Sequence, residues 1–212
     1  MMHQKKTILI FDFDGTIADT HHYLIKISNQ LSSEFHYKTI PPEEIPLLKN
    51  KTSQEVIQHL KVPMLKIPAI IAKAKKLFYE NMDSLDPFAG LTEVLDQLKS
   101  KNITMGILSS NTAANIHRFL QTHQLDIFDF IHTTSNVWSK NIVLAKLLHD
   151  KKLAVKDTIY IGDEIRDIVA AQRLNLRVAA VTWGYNSPDS LRRHHPTFLI
   201  DKPAELLNLV DE

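Results

Sequence analysis

Five short apolar runs rich in β-branched residues recur along the chain: Thr7–Phe11, Ile103–Leu108, Phe130–Thr133, Thr158–Ile161 and Val178–Thr182. Runs this short, without polar alternation, read as strands buried on both faces of a sheet. Between them apolar residues recur at helical spacing, as in Leu91, Val94, Leu95 and Leu98, then Ile116, Phe119 and Leu120. The same spacing returns in Ile142, Leu144, Leu147 and Leu148, and in Ile165, Ile168, Val169 and Ala171. Strands alternating with helices of this length predict an α/β fold built on a doubly wound parallel sheet.

From Thr20 to Asp86 the rhythm breaks. Helical periodicity continues without a buried strand, and Pro41, Pro42, Pro46, Pro63 and Pro68 cut the segment into short helices. Thr52 and Glu55 form a capping-box pattern ahead of Val56, Ile57 and Leu60. Contiguous helices between the first strand and the rest predict a small all-helical cap over residues 19–86. The α/β core is then discontinuous, residues 1–18 and 87–212, and the chain returns to it at Asp86-Pro87-Phe88-Ala89-Gly90.

Composition narrows the function classes. The 212 residues carry a formal net charge of +1, which provides no field for a polyanion and makes nucleic acid an unexpected partner. Without cysteine there are no disulfides, thiolate metal sites or thiol nucleophile. No apolar stretch approaches a membrane span or a signal h-region, so a cytoplasmic protein with no membrane partner is expected. Average usage would give about 15 glycines in a chain of this length. There are 5, so Gly15, Gly90, Gly106, Gly162 and Gly184 should mark positive φ or close approach.

Four segments carry candidate chemistry. Asp12-Phe13-Asp14-Gly15-Thr16 directly follows the first strand, with two carboxylates at the carboxyl edge of the sheet, where α/β proteins bind ligands. Paired carboxylates repel, and a cation between them would stabilise both as anions. Ser109-Ser110-Asn111, after the second strand, offers hydroxyls and N–H groups suited to an anion such as phosphate. Lys140 opens a helical pattern, where a cation opposes the helix dipole, so its role should lie elsewhere. In Gly162-Asp163-Glu164-Ile165-Arg166-Asp167, two aspartates share the first turn of a helix and could complete an oxygen-only site for Mg²⁺. No P-loop or GxGxxG pattern occurs.

Taken in order, these segments resemble the four motifs of the haloacid dehalogenase superfamily of phosphohydrolases. Asp12 to Thr16 matches its DxDGT motif, Ser109 its second-motif hydroxyl, Lys140 its third-motif lysine, and Gly162-Asp163 through Asp167 its GDxxxD motif. The segment between the first motif and Gly90 resembles the family's helical cap. Val181-Thr182-Trp183-Gly184-Tyr185 and the Ile200–Leu207 tail are similar to phosphoglycolate phosphatase-like members. Two departures stand out: Ser109-Ser110-Asn111 replaces the usual Thr-Asn-Lys, and the cap has no glycine.

The resemblance implies a Mg²⁺-dependent phosphatase acting on a small phosphorylated metabolite. Asp12 would be the nucleophile and Asp14 the acid and base. Mg²⁺ would be held by Asp12, the main-chain carbonyl of Asp14, and Asp163. Phosphate contacts are expected from Gly15, Thr16, Ser109, Ser110, Asn111 and Lys140, with Asp167 orienting Lys140 or a metal-bound water. Cap residues that could read the leaving group are Asp19, His21, His22, Lys49 and Lys51. Lys73, Lys75 and Lys76, like Arg192 and Arg193, read as solvated helix faces, and Trp183 as core packing. A phosphomutase would use the same residues, and a non-catalytic phospho-ligand-binding protein could keep the fold. A receiver module fits poorly, since receivers carry the acceptor on the third strand and contain no inserted cap.

Overall fold

A computed structural model describes residues 7–134 and 140–210. Six parallel strands form one sheet in the order β3-β2-β1-β4-β5-β6. These are β1 (Ile8–Phe11), β2 (Thr104–Ser109), β3 (Phe130–Thr133), β4 (Thr158–Gly162), β5 (Arg177–Val181) and β6 (Phe198–Ile200). The five strands expected from the apolar runs are present. The sixth, at the edge beside β5, was not foreseen because three residues are too few to show a period. β3 also departs from expectation. All its residues are half-buried, since an edge strand has a neighbour on one side only.

Alternation sends side chains to two cores. Leu9, Phe11, Ile107 and Ile161 pack with α5 (Leu91–Ser100) and α6 (Ala113–Thr122). Ile8, Ile10, Leu108 and Tyr160 pack with α7 (Lys140–Asp150) and α8 (Ile165–Gln172). Helices therefore cover both faces, as the absence of polar alternation requires. Order reverses beside β1, the switch point where doubly wound sheets bind ligands. Phe11 lies level with Ile107 of β2 and Ile161 of β4, so residues following all three strands emerge on one rim.

The helical segment between β1 and α5 contains α1 (His21–Phe35), α2 (Ile45–Leu48), α3 (Ser53–His59) and α4 (Ile67–Asn81), with 3₁₀ turns leading into α2 and α4 and following α4. The capping box is formed: Glu55 N–H donates to Thr52 Oγ1 at 3.3 Å, and Thr52 N–H donates to Glu55 Oε2 at 2.7 Å. At its root, Ile27, Leu31, Phe78, Met82 and Leu85 join the same apolar cluster as β1. Towards its tip, Ile40, Leu48 and Leu60 form a small cluster of their own. The two connecting strands run side by side, joined by an antiparallel bridge between Ala18 and Pro87 and by Asp19 N–H donating to Asp86 O at 2.9 Å. α9 (Pro188–Arg193) and a C-terminal 3₁₀ segment (Pro203–Val210) complete the core. Among the described residues no helix is long and apolar enough to cross a membrane.

Candidate active site

Asp12 leaves β1 one step beyond the Phe11–Ile161 pair, and its N–H still donates to Ile161 O at 2.8 Å. Its carboxylate is buried, with Oδ1 accepting from Phe13 N–H at 2.8 Å. Gly15 then turns the chain with φ at +76°, a region that strains any residue with a Cβ. A Cβ there would also lie 2.2 Å from Asp163 Oδ2, so this turn fits directly against the acidic end of β4.

Lys140 occupies the first position of α7, yet it is buried, because its ammonium reaches back across the rim. Nζ donates to Asp12 Oδ2 at 2.6 Å and to Asp167 Oδ1, and lies 5.3 Å from the centre of the Tyr160 ring. Burial alone would lower this ammonium; Asp12 and Asp167 together outweigh it and hold its pKa well above the ordinary lysine value. The misplacement of a cation at a helix N-terminus is thus resolved by two carboxylates.

Asp163, fully buried, accepts from Thr16 Oγ1 at 2.8 Å through Oδ1 and from Tyr185 N–H at 2.7 Å through Oδ2. Burial first, then Glu164, Asp167 and Asp12, push its carboxyl well above the usual carboxylate range. Asp167 Oδ2 accepts from Glu164 N–H at 3.0 Å, which closes the first turn of α8. Oxygens of Asp12, Asp163 and Asp167 all lie within 4.8 Å of one another. Three buried carboxylates so close oppose each other's ionisation, and an all-oxygen donor set suits a hard divalent cation. The residues present therefore fit a hard divalent cation.

Asp14 stands apart from that cluster. Both its oxygens accept from Asn111 Nδ2, at 3.1 and 3.2 Å, and its carboxyl is raised to about 7 by burial and then by the charge of Asp12. Asn111 is in turn held by its own Oδ1, which accepts from Thr112 N–H at 2.8 Å and from Asn115 Nδ2 at 2.7 Å. Its N–H donates to Ser109 Oγ at 3.0 Å. Side chain and amide of Asn111 are thus engaged within the protein, and they set Asp14 and Ser109 in place. Gly15 and Thr16, expected to contact phosphate, have their main-chain N–H groups turned inward. Gly15 N–H donates to Ala18 O at 3.0 Å and Thr16 N–H to Phe13 O at 3.3 Å, closing the turn. Ser109 is buried at the end of β2 and Ser110 half-buried beside it.

The five residues expected to read the leaving group divide. Asp19 is exposed in the connecting strand and His22 is exposed on α1. His21, by contrast, is buried with its ring 5.5 Å from that of Tyr185. Burial, then Lys49 and His22, lower its pKa to about 4. Lys49 and Lys51 are both half-buried, and Lys49 Nζ donates to Gly184 O at 3.1 Å. Lys75, expected in solvent, is half-buried on α4. Burial lowers its ammonium while the charge of Asp14 acts in the opposite sense. Asn115 and Asn186 escaped the sequence reading, and Tyr185 entered it only within the Val181–Tyr185 resemblance. Nothing local marks a lone Asn or Tyr, and the contacts of Tyr185 and Asn186 to Asp163, Ile165, Lys49 and Lys51 cross long stretches of chain.

A doubly wound sheet with buried carboxylates at its switch point, under a helical insertion, defines a class of α/β proteins whose site could hold a cation. Comparison with known proteins makes this specific. The family profile of haloacid dehalogenase-like hydrolases matches residues 9–181, and the chain belongs to that family. It is 30% identical over 205 residues to a phosphoglycolate phosphatase of Synechococcus elongatus, covering 96% of this chain and 97% of that protein. It is 26% identical over 214 residues to the pyrophosphatase PpaX of Oceanobacillus iheyensis, covering 96% of each. Among solved structures, a haloacid dehalogenase-like family protein from Streptococcus pneumoniae superposes with a TM-score of 0.81 at 19% identity, covering 97% of this chain and 98% of the other. CbbY from Rhodobacter sphaeroides, in complex with phosphate, gives 0.74 at 19% identity, covering 97% and 99%.

Proposed function

We propose that the chain is a Mg²⁺-dependent phosphatase that hydrolyses a small phosphate monoester through an aspartyl-phosphate on Asp12, with residues 19–86 as its cap. The observation that carries this reading is the pair of carboxyls two residues apart in different environments. Asp12 is ion-paired with Lys140, whereas Asp14, on Asn111, is raised to about 7. A nucleophile and a general acid need different surroundings, and a buried lysine beside one carboxyl and an amide beside the other provide them within three residues.

In the first step an oxygen of Asp12 forms a bond to phosphorus as the ester P–O bond breaks. Asp14 gives its proton to the departing alkoxide. In the second, Asp14 takes a proton from water as the water oxygen attacks phosphorus, releasing phosphate and restoring Asp12. Nucleophile and phosphoryl group are both anionic, so charge compensation dominates the barrier. Lys140 supplies part of it from protein. Mg²⁺, when bound by Asp12, Asp163 and the main chain at Asp14, with Asp167 beside them, supplies further positive charge there. Ser109 hydrogen-bonds the phosphoryl oxygens, and Thr16 and Tyr185 hold Asp163 in orientation.

The similarity to a phosphoglycolate phosphatase and a pyrophosphatase supports a small substrate, since both names describe compact phosphates. A phosphomonoester panel with and without Mg²⁺, wild type beside Asp12→Asn, tests the reading. Turnover requiring Mg²⁺ and lost in Asp12→Asn is expected. Unchanged turnover in the variant would remove Asp12 from its role.

A further inference from the structure

The insertion is attached to the core very differently on its two flanks. Near α6 the attachment is dense: the apolar cluster of the core continues into α1 and α4, Arg118 Nε donates to Asp83 Oδ1 at 2.8 Å, and Asn115 Nδ2 donates to Lys75 O at 3.3 Å. Near α8 it is open. A cavity of about 530 Å³ lies there, lined by Val56, Ile57, Ile70 and Ile71 of the insertion and by Ile165 and Val169 of α8. Side-chain packing therefore does not hold α3 against α8.

What spans that flank is a polar strap. Asn186, buried in the loop after β5, has its side chain at the crossing point. Its Oδ1 accepts from Ile165 N–H, at the start of α8, at 2.8 Å. Its Nδ2 donates to two carbonyls of the insertion, Lys49 O at 2.9 Å and Lys51 O at 3.0 Å. The adjoining Ser187 N–H also donates to Lys49 O at 2.9 Å, and Lys49 Nζ returns to Gly184 O at 3.1 Å. Ser53 Oγ adds a bond to Glu164 Oε2 at 3.0 Å. The same loop reaches the acidic cluster through main chain: Tyr185 N–H donates to Asp163 Oδ2 at 2.7 Å, and Asn186 N–H to Asp163 O at 3.2 Å.

We propose that Asn186 is a positioning residue that docks the Lys49–Lys51 segment of the cap in register with the Asp163 corner of the site. Its amide is suited to this because one side chain both accepts from the core and donates twice to the cap. A buried amide with all these partners rigidifies the contact, whereas a buried donor without them is costly. Docking matters to substrates large enough to touch the cap and little to those that are not.

The inference rests on the phosphatase reading, and one substitution separates the two. In Asn186→Asp the side chain still accepts from Ile165 N–H, but it can no longer donate and sets a carboxylate against two carbonyl oxygens. Wild type and variant are compared on the best phosphomonoester of the panel and on acetyl phosphate, whose leaving group is small and needs no proton. Loss of two hydrogen bonds predicts a fall in kcat/KM of about tenfold or more for the ester, expressed mainly in KM. For acetyl phosphate kcat stays within about twofold on the same argument. Hydrogen exchange at Ser187 N–H quickens, while exchange at Asp12 N–H, inside the sheet, does not. Equal losses on both substrates, or unchanged kinetics, would overturn the positioning role. If the wild type turns over no ester, the phosphatase reading falls, and slow exchange at Ser187 in Asn186→Asp would then overturn the docking contact independently.

Discussion

At the scale of single residues, the division of labour between Asp12 and Asp14 makes the sharpest prediction. Asp14→Asn keeps an amide beside Asn111 but can neither give nor take a proton, and steady-state turnover should fall by about 10²- to 10⁴-fold. With p-nitrophenyl phosphate, whose leaving group needs no acid, the first step survives and the second stalls. One equivalent of p-nitrophenolate should then appear as a burst, and its absence would take the second-step base role away from Asp14. His21 makes a prediction about pH. Its buried ring binds a proton less readily in the folded protein, about 4 against an ordinary 6.5. Between those values the unfolded chain holds more protons, so stability is complete above pH 6.5 and is lost as pH falls towards 4. The drop in Tm from pH 7 to pH 5 should shrink in His21→Phe, and an equal drop would refute it. The types of these residues were legible from the sequence, because carboxylates immediately after an apolar strand are unusual there. Their states were not. That Asp14 would sit on Asn111, or His21 under Tyr185, depends on contacts across long stretches of chain.

At the scale of elements, local signals were dependable and edges were not. The Thr52–Glu55 box formed as its spacing predicts, because a capping box needs only four consecutive residues. Thr52→Ala should cost about 1 kcal/mol in urea unfolding. The α8 flank should loosen with it, since Ser53, the first residue of α3, holds Glu164. Gly106 tells the opposite story. Its position inside β2 suggested close packing, but only the pairing of β2 with β3 names the neighbour: an added Cβ would fall 2.1 Å from the Phe130 ring. Gly106→Ala should destabilise by about 1–3 kcal/mol. Phe130→Leu in the same chain should restore much of that loss, and additive losses in chemical denaturation would disprove the contact. β6 escaped notice because Phe198, Leu199 and Ile200 carry too little pattern; pairing with β5 makes them a strand.

At the scale of the whole molecule, the site is assembled at the rim where strands from distant parts of the chain end together. Asp12 and Lys140 are 128 positions apart and share a hydrogen bond of 2.6 Å. The same convergence concentrates negative charge, so cation binding and folding are linked. Mg²⁺ at about 100 times its Kd should add about 2.7 kcal/mol. That corresponds to a rise in Tm of roughly 5–10 °C for a chain of this size. Chelation should reverse the rise and Asp163→Asn should abolish it; a full shift in that variant would place the ion elsewhere.

The sequence by itself determined the strand–helix alternation, the helical insertion and the order of four chemical segments. Each of these is written in spacing over a few residues, where local geometry is nearly fixed. Tertiary structure decided the rest. It drew Lys140 off a helix N-terminus into the carboxylates, spent the amides of Gly15, Thr16 and Asn111 inside the protein, and set Asn186 between core and cap. Those outcomes turn on which buried polar groups find partners, and burial exists only once the whole chain has closed around them.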